Sequence, residues 1–383
     1  MAPPNLRLLT ALLSAAFALS AQAAVSPRVQ TRDGSIEGIA QNGVDIFRGI
    51  PFAAPPLGER RWRAPQPVKP WGGILLAKHY RAACMQMEMY PPGSPAEPVS
   101  ENCLYLNIWK PMTASPTPLP VMVWIYGGGL TNGSAAVPLY AGDQLARRGV
   151  IVVTANYRLG VFGFLALPAL SAQSKHHSSG NYGLLDQIAA LKWVRRNIAA
   201  FGGDPDNVTV FGQSSGSISI SALTASPLAK GLFQKAIGES GALFEPMGLA
   251  SKLRLAGAER QGQRFMARAG AGSLAVLRAI PAGKLLSVSF TPHIIIDGNV
   301  LRRAPWKTYA QGDANKISLL IGWNADEGAI FLSHVHVTPS NYHQVLGRSF
   351  PSMLVDLLAP SSGETADSAL AAAVGFNTDM RFR

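Results

Sequence analysis

The stretch Asn207–Ile220, NVTVFGQSSGSISI, joins an extended segment to a helical one through a serine framed by glycines. Its first half is rich in valine and phenylalanine, which favour extended backbone, and its second half repeats apolar residues at helical spacing. Gly212, Ser214 and Gly216 form the pattern G-x-S-x-G at the turn. A turn of this kind between a strand and a helix is typical of a nucleophile elbow, in which the glycines let two backbone segments pass close to a strained serine. We therefore predict that Ser214 is a nucleophile.

The competing interpretation is an ordinary turn, because the chain has 38 glycines and a five-residue pattern also arises by chance. A second serine, Ser240 in the sequence GESG, lies in similar surroundings, but a glycine follows it immediately. That spacing does not match the elbow. We expect Ser240 to support a site around Ser214 rather than to attack a substrate.

The length and composition indicate a folded protein with a large core. The chain has 383 residues, of which 48% are hydrophobic and 15% charged, and it contains no repeat or linker. The formal net charge is +12, but the basic residues stand in ones and twos and never form a run. We therefore predict one domain over residues 24–383 and do not expect it to bind nucleic acid.

The N-terminus has the pattern of a secretory signal peptide. Arg7 precedes an apolar run, and small residues follow that run near position 23. The run is too short to span a membrane, so we expect residues 1–23 to be removed and the protein to be secreted or periplasmic, without membrane insertion. In an oxidising compartment, a disulfide between Cys84 and Cys103 is favoured over two free thiols. Metal binding is the weaker alternative, because no histidine lies at ligand spacing from either cysteine.

From about residue 120 onward, apolar segments alternate with helical ones. The runs at 121–126, 150–157 and 317–323 are apolar without alternation, which predicts strands buried on both faces of a mostly parallel sheet. A helix is predicted around 185–200. Further helices are predicted over about 247–286, as a cap over one edge of the sheet.

Several long blocks carry a resemblance to a known family. They are FRGIPFAAPPLGERRWRAP at 47–65, SENCLYLNIW at 100–109, VMVWIYGGGLTNGS at 121–134, ANYRLGVFGFLA at 155–166, the block at 180–217 that contains the elbow, and IGWNADEGAIF at 321–331. In these blocks the chain resembles the type-B carboxylesterases, the cholinesterase-like branch of the α/β-hydrolases, and most of all their exported bacterial members.

The resemblance implies an α/β-hydrolase fold, with a mostly parallel central sheet, helices on both faces and a helical cap region. It implies hydrolysis of a small-molecule carboxylic ester through an acyl-enzyme on Ser214, with no metal or organic cofactor. In that family the cysteines that match Cys84 and Cys103 form a disulfide, which agrees with the inference from export.

The resemblance also assigns the groups that assist the nucleophile. The backbone amides of Gly128, Gly129 and Ser215 would form the oxyanion hole, and Glu327 in the sequence DEG would orient the base. Without the family, the glycines would be a plain turn and Glu327 a solvated loop residue. Ser215 replaces the usual alanine, and we expect only its backbone amide to matter.

The base is the missing member of this set. The order serine, acid, histidine places the catalytic histidine after Glu327, in a motif where glycine or alanine follows it. The chain has seven histidines and none is followed by either residue. We therefore expect the catalytic histidine and the last core elements to lie beyond Arg383, the chain being C-terminally incomplete.

Three other interpretations stay open at this point. His334 or His336 could replace the missing base, although the geometry needed to reach both Ser214 and Glu327 is demanding. The chain could also be a catalytically inactive binding protein on the same fold, or a truncated remnant of an esterase.

Overall fold

The structure is a computed structural model that describes residues 26–87, 98–243, 254–348, 350, 352–356, 359 and 365–382. The predicted leader at 1–23 and the first part of the predicted cap, 247–253, lie outside the described residues. No helix within the described ranges is long and apolar enough to cross a membrane.

The strands are short at the N-terminal end of the chain and longer in the centre. They are β1 Arg28–Gln30, β2 Ser35–Glu37, β3 Ile39–Gln41, β4 Val44–Pro51, β5 Ile74–Leu76, β6 Ala83–Cys84, β7 Val99–Ser100, β8 Tyr105–Pro111, β9 Leu119–Ile125, β10 Ile151–Ala155, β11 Gly203–Gln213, β12 Lys235–Glu239 and β13 Ser318–Gly322.

Helices fill most of the connections after β9. They are α1 Asp143–Ala146, α2 Gly160–Phe164, α3 Pro168–Gln173, α4 Tyr182–Asn197, α5 Ser215–Ala225, α6 Leu255–Arg268, α7 Leu274–Ala279, α8 Ala282–Leu286, α9 Pro305–Ala310, α10 Tyr342–Gly347, α11 Ser352–Asp356 and α12 Ala366–Phe382. The predicted helix at 185–200 is therefore α4 followed by a 3-10 turn at Ile198–Phe201.

One large sheet organises the molecule. In the described part of the chain it has eight strands in the order β13-β12-β11-β9-β10-β8-β4-β3. In this order, each neighbouring pair from β13 through β12, β11 and β9 to β10 is parallel. Each neighbouring pair from β10 through β8 and β4 to β3 is antiparallel. The sheet is therefore mixed. The elbow stretch lies at the end of a strand, as predicted, and this strand, β11, is in the centre of the parallel half.

Helices lie on both faces of this sheet. On one face, α4 and α5 pack against the valines of β9 and β11 in the main hydrophobic core. On the other face, α1 packs against Trp109 and Val152. The helices α6, α7 and α8 occupy the part of the predicted cap that is described, and they share a second core with α2 and α3.

The edge strand β13 departs from the prediction. Its apolar run was expected to be buried on both faces, but all five of its residues are exposed, and Leu320 has 64% of its surface accessible. The physical reason is position: β13 pairs only with β12, and no described element covers it. An unbroken apolar run predicts a strand suited to burial, but the burial itself depends on what packs against it.

A buried ion pair ties the segment after β10 to α4. The guanidinium of Arg158 donates to both carboxylate oxygens of Asp186 at 2.7 and 2.8 Å, and the Arg158 backbone N–H adds a third bond at 3.0 Å. The two side chains are 3% and 0% exposed. A charge buried this deeply is tolerated because its counter-ion is bonded to it, although Nη1 of Arg158 is buried without a hydrogen-bond partner in the described part of the chain.

We expect Asp186→Ala to lower the free energy of unfolding by about 3–5 kcal/mol, because it leaves the Arg158 guanidinium buried without a partner. The matched control is Asp206→Ala, which removes the partner of Arg195 at the surface and should change stability by less than about 1 kcal/mol. Urea unfolding of the three proteins measures both differences. Equal midpoints for the two variants would contradict the role assigned to the buried pair.

Candidate active site

Ser214 is the single residue between the end of β11 and the start of α5, and its backbone conformation is strained. Its φ is +55° and its ψ is −126°, a region that non-glycine residues rarely occupy. Two hydrogen bonds hold it there: its N–H donates to the Glu239 carbonyl at 2.8 Å, and its carbonyl accepts from the Ile218 N–H at 2.9 Å. Strain of this kind costs about 1–3 kcal/mol and persists only where the surrounding structure enforces it.

The two glycines of the elbow are required by a close approach to β9. A Cβ added at Gly212 would lie 2.4 Å from the Ile125 carbonyl oxygen, and one added at Gly216 would lie 2.1 Å from the same atom. Neither distance is possible for a real side chain. The G-x-S-x-G pattern therefore has the steric origin that the sequence indicated.

The glycine loop after β9 passes beside the nucleophile. An added Cβ at Gly127 would lie 3.1 Å from the Ser214 Cβ, and Gly128 and Gly129 have φ values of +102° and +62°. Within the described residues, no hydrogen-bond acceptor faces the N–H groups of Gly128, Gly129 or Ser215. Unpaired N–H groups next to a strained serine are what the oxyanion of a tetrahedral intermediate requires.

The carboxylate of Glu327 lies at the same edge of the sheet, just after β13. Its Oε1 accepts hydrogen bonds from the Ser240 hydroxyl and from the Asn324 N–H, the latter at 2.6 Å. Ser240 is itself fixed, because its N–H donates to the Gly322 carbonyl at 2.8 Å. Among the described residues, Oε2 of Glu327 has no hydrogen-bond donor. The structure thus brings Ser240 and Glu327 together and leaves one carboxylate oxygen available to orient a base.

None of the seven histidines, all of which lie in the described ranges, forms a hydrogen bond with Ser214 or Glu327. His334 and His336 are exposed, and so is the pair His176 and His177. His343 pairs with Asp356 at 3.2 Å.

Ser215 contributes more than its backbone. The sequence predicted a role for its amide alone, but its side chain is buried and its Oγ accepts a hydrogen bond from the Leu130 N–H at 3.2 Å. The only signal in the sequence is a serine at a position where the family usually has alanine. That signal does not identify the partner, which lies 85 residues away.

A pocket of about 360 Å³ is lined in part by Gln213, the residue that precedes Ser214. Its walls include Trp124, Phe211 and Tyr140, and the Trp124 ring contacts the rings of the other two. Glu239 lies at its rim, and burial raises the pKa of that carboxyl.

The predicted disulfide is present. Cys84 and Cys103 are bonded, with their Cα atoms 4.9 Å apart. The bond joins β6 to the segment just before β8, at the side of the molecule that also holds the buried Arg61–Glu101 ion pair. No group of three potential metal ligands was found in the described part of the chain.

A family model described as the carboxylesterase family matches residues 25–373. The chain belongs to the carboxylesterase family. It is 44% identical to fumonisin B1 esterase of Sphingopyxis macrogoltabida, over 84% of this chain and 60% of that protein. It is 42% identical to para-nitrobenzyl esterase of Bacillus subtilis (strain 168), over 86% of this chain and 70% of that protein.

Solved structures agree with this assignment. Two structures of PNB esterase match with TM-scores of 0.80 and 0.78 at 39% identity, covering 93% of this chain and 74% or 75% of theirs. The α/β-hydrolase fold with helices on both faces, predicted from the sequence, is thereby confirmed, although the sheet that was predicted to be mostly parallel is mixed. This chain spans only 60% of the length of fumonisin B1 esterase.

We expect Gly216→Ala to lower the free energy of unfolding by about 1–3 kcal/mol, because the new Cβ must displace either β9 or α5. The control is Gly283→Ala in α8, where an added Cβ meets nothing within 4 Å and alanine should stabilise the helix by up to about 1 kcal/mol. Thermal and urea unfolding measure the change in stability of both variants. A Gly216→Ala protein as stable as the control would show that the close approach at Ile125 is not tight.

Proposed function

We propose that this carboxylesterase-family protein is a serine carboxylic ester hydrolase with Ser214 as the nucleophile. The observation that carries the proposal is the coincidence, at one point, of a strained serine with three N–H groups that have no described acceptor. The family match and the names of the two relatives, both esterases, support the same reaction. The substrate class is a small-molecule ester.

In the proposed reaction, the Ser214 Oγ attacks the ester carbonyl carbon while a base takes its proton. The carbonyl oxygen becomes an oxyanion and accepts hydrogen bonds from the N–H groups of Gly128, Gly129 and Ser215. The base then returns the proton to the leaving alcohol, and the acyl group stays on Ser214. Attack by water on this acyl-enzyme releases the carboxylic acid and frees the serine.

Glu327 orients the base in this scheme, and Ser240 holds Glu327. The free Oε2 of Glu327 is the atom that would accept a hydrogen bond from the N–H of a histidine ring, as the acid of a serine triad does. None of the histidines in the described residues bonds to Glu327. In a serine triad the loss of the base lowers kcat on the order of 10⁶-fold, so this group decides the rate.

We also propose that residues 1–23 are a cleaved export signal and that the mature protein is secreted or periplasmic. The Cys84–Cys103 disulfide supports this, because such bonds persist in oxidising compartments. A mature N-terminus that still contains Met1 would contradict it.

A fluorophosphonate probe tests the nucleophile. We expect the protein isolated from its source to gain one probe adduct on the peptide that contains Ser214, and Ser214→Ala to lose both the adduct and the hydrolysis of p-nitrophenyl acetate. Intact-mass spectrometry of the labelled protein reports the adduct and the length of the chain together.

Two results would overturn the assignment. Hydrolysis that survives Ser214→Ala would exclude Ser214 as the nucleophile. A folded protein that resists the probe would favour the alternative function, a catalytically inactive binding protein on the same fold.

A second prediction concerns the base. We expect the double change His334→Ala and His336→Ala to leave the initial rate of ester hydrolysis within about twofold, because both rings are exposed and neither bonds to Glu327. The matched control is His176→Ala with His177→Ala, another exposed pair. If the first double variant lost its activity and the control did not, one of His334 and His336 would be the base.

A further inference from the structure

We propose that the side-chain hydroxyl of Ser215 is a positioning group that fixes the oxyanion hole. It would do so by tying the loop that carries the Gly128 and Gly129 amides to the helix that carries the Ser215 amide. This inference rests on the proposed function, because an oxyanion hole has a role only if Ser214 attacks a carbonyl. It goes beyond that function because it gives the Ser215 side chain a role, where only the Ser215 backbone amide was expected to act.

The first step is the contact itself. The Ser215 Oγ accepts a hydrogen bond from the Leu130 N–H at 3.2 Å, and both residues are at least 94% buried. Leu130 directly follows Gly129 and ends the glycine loop, and Ser215 is the first residue of α5. This bond therefore joins the glycine loop to α5. The three proposed oxyanion donors therefore lie on two segments that this hydrogen bond holds together.

The second step is the strain at Leu130. Its φ is +62°, a value that leucine rarely adopts. Its carbonyl accepts from the Gly160 N–H at 2.7 Å, so both of its backbone polar groups are used to hold the conformation. Without the Ser215 hydroxyl, the Leu130 N–H would be buried and unpaired, which favours a rearrangement of the loop.

The third step is the tyrosine pair beneath the loop. The Tyr157 hydroxyl donates to the Tyr126 carbonyl at 2.8 Å, and the two rings stack with centroids 4.5 Å apart. Burial raises the pKa of Tyr157, and the neighbouring Ser215 hydroxyl offsets part of that rise. Tyr126 directly precedes Gly127, so the Tyr157 hydroxyl, which neighbours Ser215, bonds to the residue at the start of the glycine loop.

The chemical consequence follows from geometry. Oxyanion donors act only if they lie about 2.7–3.1 Å from the place where the charge develops. If the loop moves by a fraction of this distance, the stabilisation of the transition state falls more than the binding of the neutral ester does. Loss of the Ser215 hydroxyl should therefore lower kcat and leave KM nearly unchanged.

The test compares Ser215→Ala with Ser219→Ala. Ser219 lies one turn further along α5, is fully buried, and donates to the Ser215 carbonyl at 2.8 Å within its own helix. Each variant removes one buried hydroxyl from the same helix, but only Ser215 reaches the glycine loop. The readouts are kcat and KM for p-nitrophenyl butyrate, and amide hydrogen exchange of the peptide covering residues 127–133.

We expect Ser215→Ala to lower kcat by about tenfold with KM within about twofold, an effect smaller than the loss of a whole oxyanion donor. The exchange of the 127–133 peptide should be faster in this variant. Ser219→Ala should leave all three readouts near the wild-type values. Ser215→Thr keeps a hydroxyl and should recover part of the lost kcat.

Two outcomes overturn the proposal: a Ser215→Ala protein with unchanged kcat and exchange, or equal losses in both alanine variants, which would indicate a general effect on α5. If the folded wild-type protein neither hydrolyses esters nor takes the fluorophosphonate probe, the proposed function fails by itself. The exchange of the 127–133 peptide then decides whether Ser215 ties the loop, with unchanged exchange overturning that claim as well.

Discussion

The carbonyl oxygen of Ile125, at the end of β9, lies only 2.4 and 2.1 Å from the positions that a Cβ would take at Gly212 and Gly216. This contact brings the end of β9, the end of β11 and the start of α5 together without intervening side chains. The glycine loop can then emerge from β9 directly beside Ser214. Every later feature of the site depends on this approach, since a displaced α5 would carry the Ser215 amide away from those of Gly128 and Gly129.

The parallel half of the sheet completes the arrangement. The strands β11, β12 and β13 run in the same direction, so Ser214, Ser240 and Glu327 follow strand ends at one edge. Backbone hydrogen bonds connect these ends in order, from the Ser214 N–H to Glu239 and from the Ser240 N–H to Gly322. The proposed acid and nucleophile are thus placed by the sheet, whereas the proposed oxyanion donors lie on the loop after β9 and at the start of α5.

The sequence predicted the parts of this site that depend on local patterns. The elbow follows from a change of hydrophobic period around a glycine-flanked serine, and the glycines have a steric cause that any such turn must share. The exposure of β13 could not be predicted, because an apolar run is the same whether or not another element covers it. The Ser215 hydroxyl was missed for a similar reason: its partner, the Leu130 N–H, is set by tertiary contact and not by spacing along the chain.

The hydrogen bonds of Glu327 are compatible with the role proposed for it. Both of its described donors, the Ser240 hydroxyl and the Asn324 N–H, bond to Oε1. A carboxylate held through one oxygen keeps a fixed orientation while the other oxygen stays able to accept a proton donor. A group that bridged Oε2 and the proposed nucleophile would have to donate to Oε2 and accept a proton on its other side, which the two nitrogens of a neutral imidazole ring can do. The hydrogen bonds of the proposed acid are therefore compatible with the histidine that the family resemblance implies.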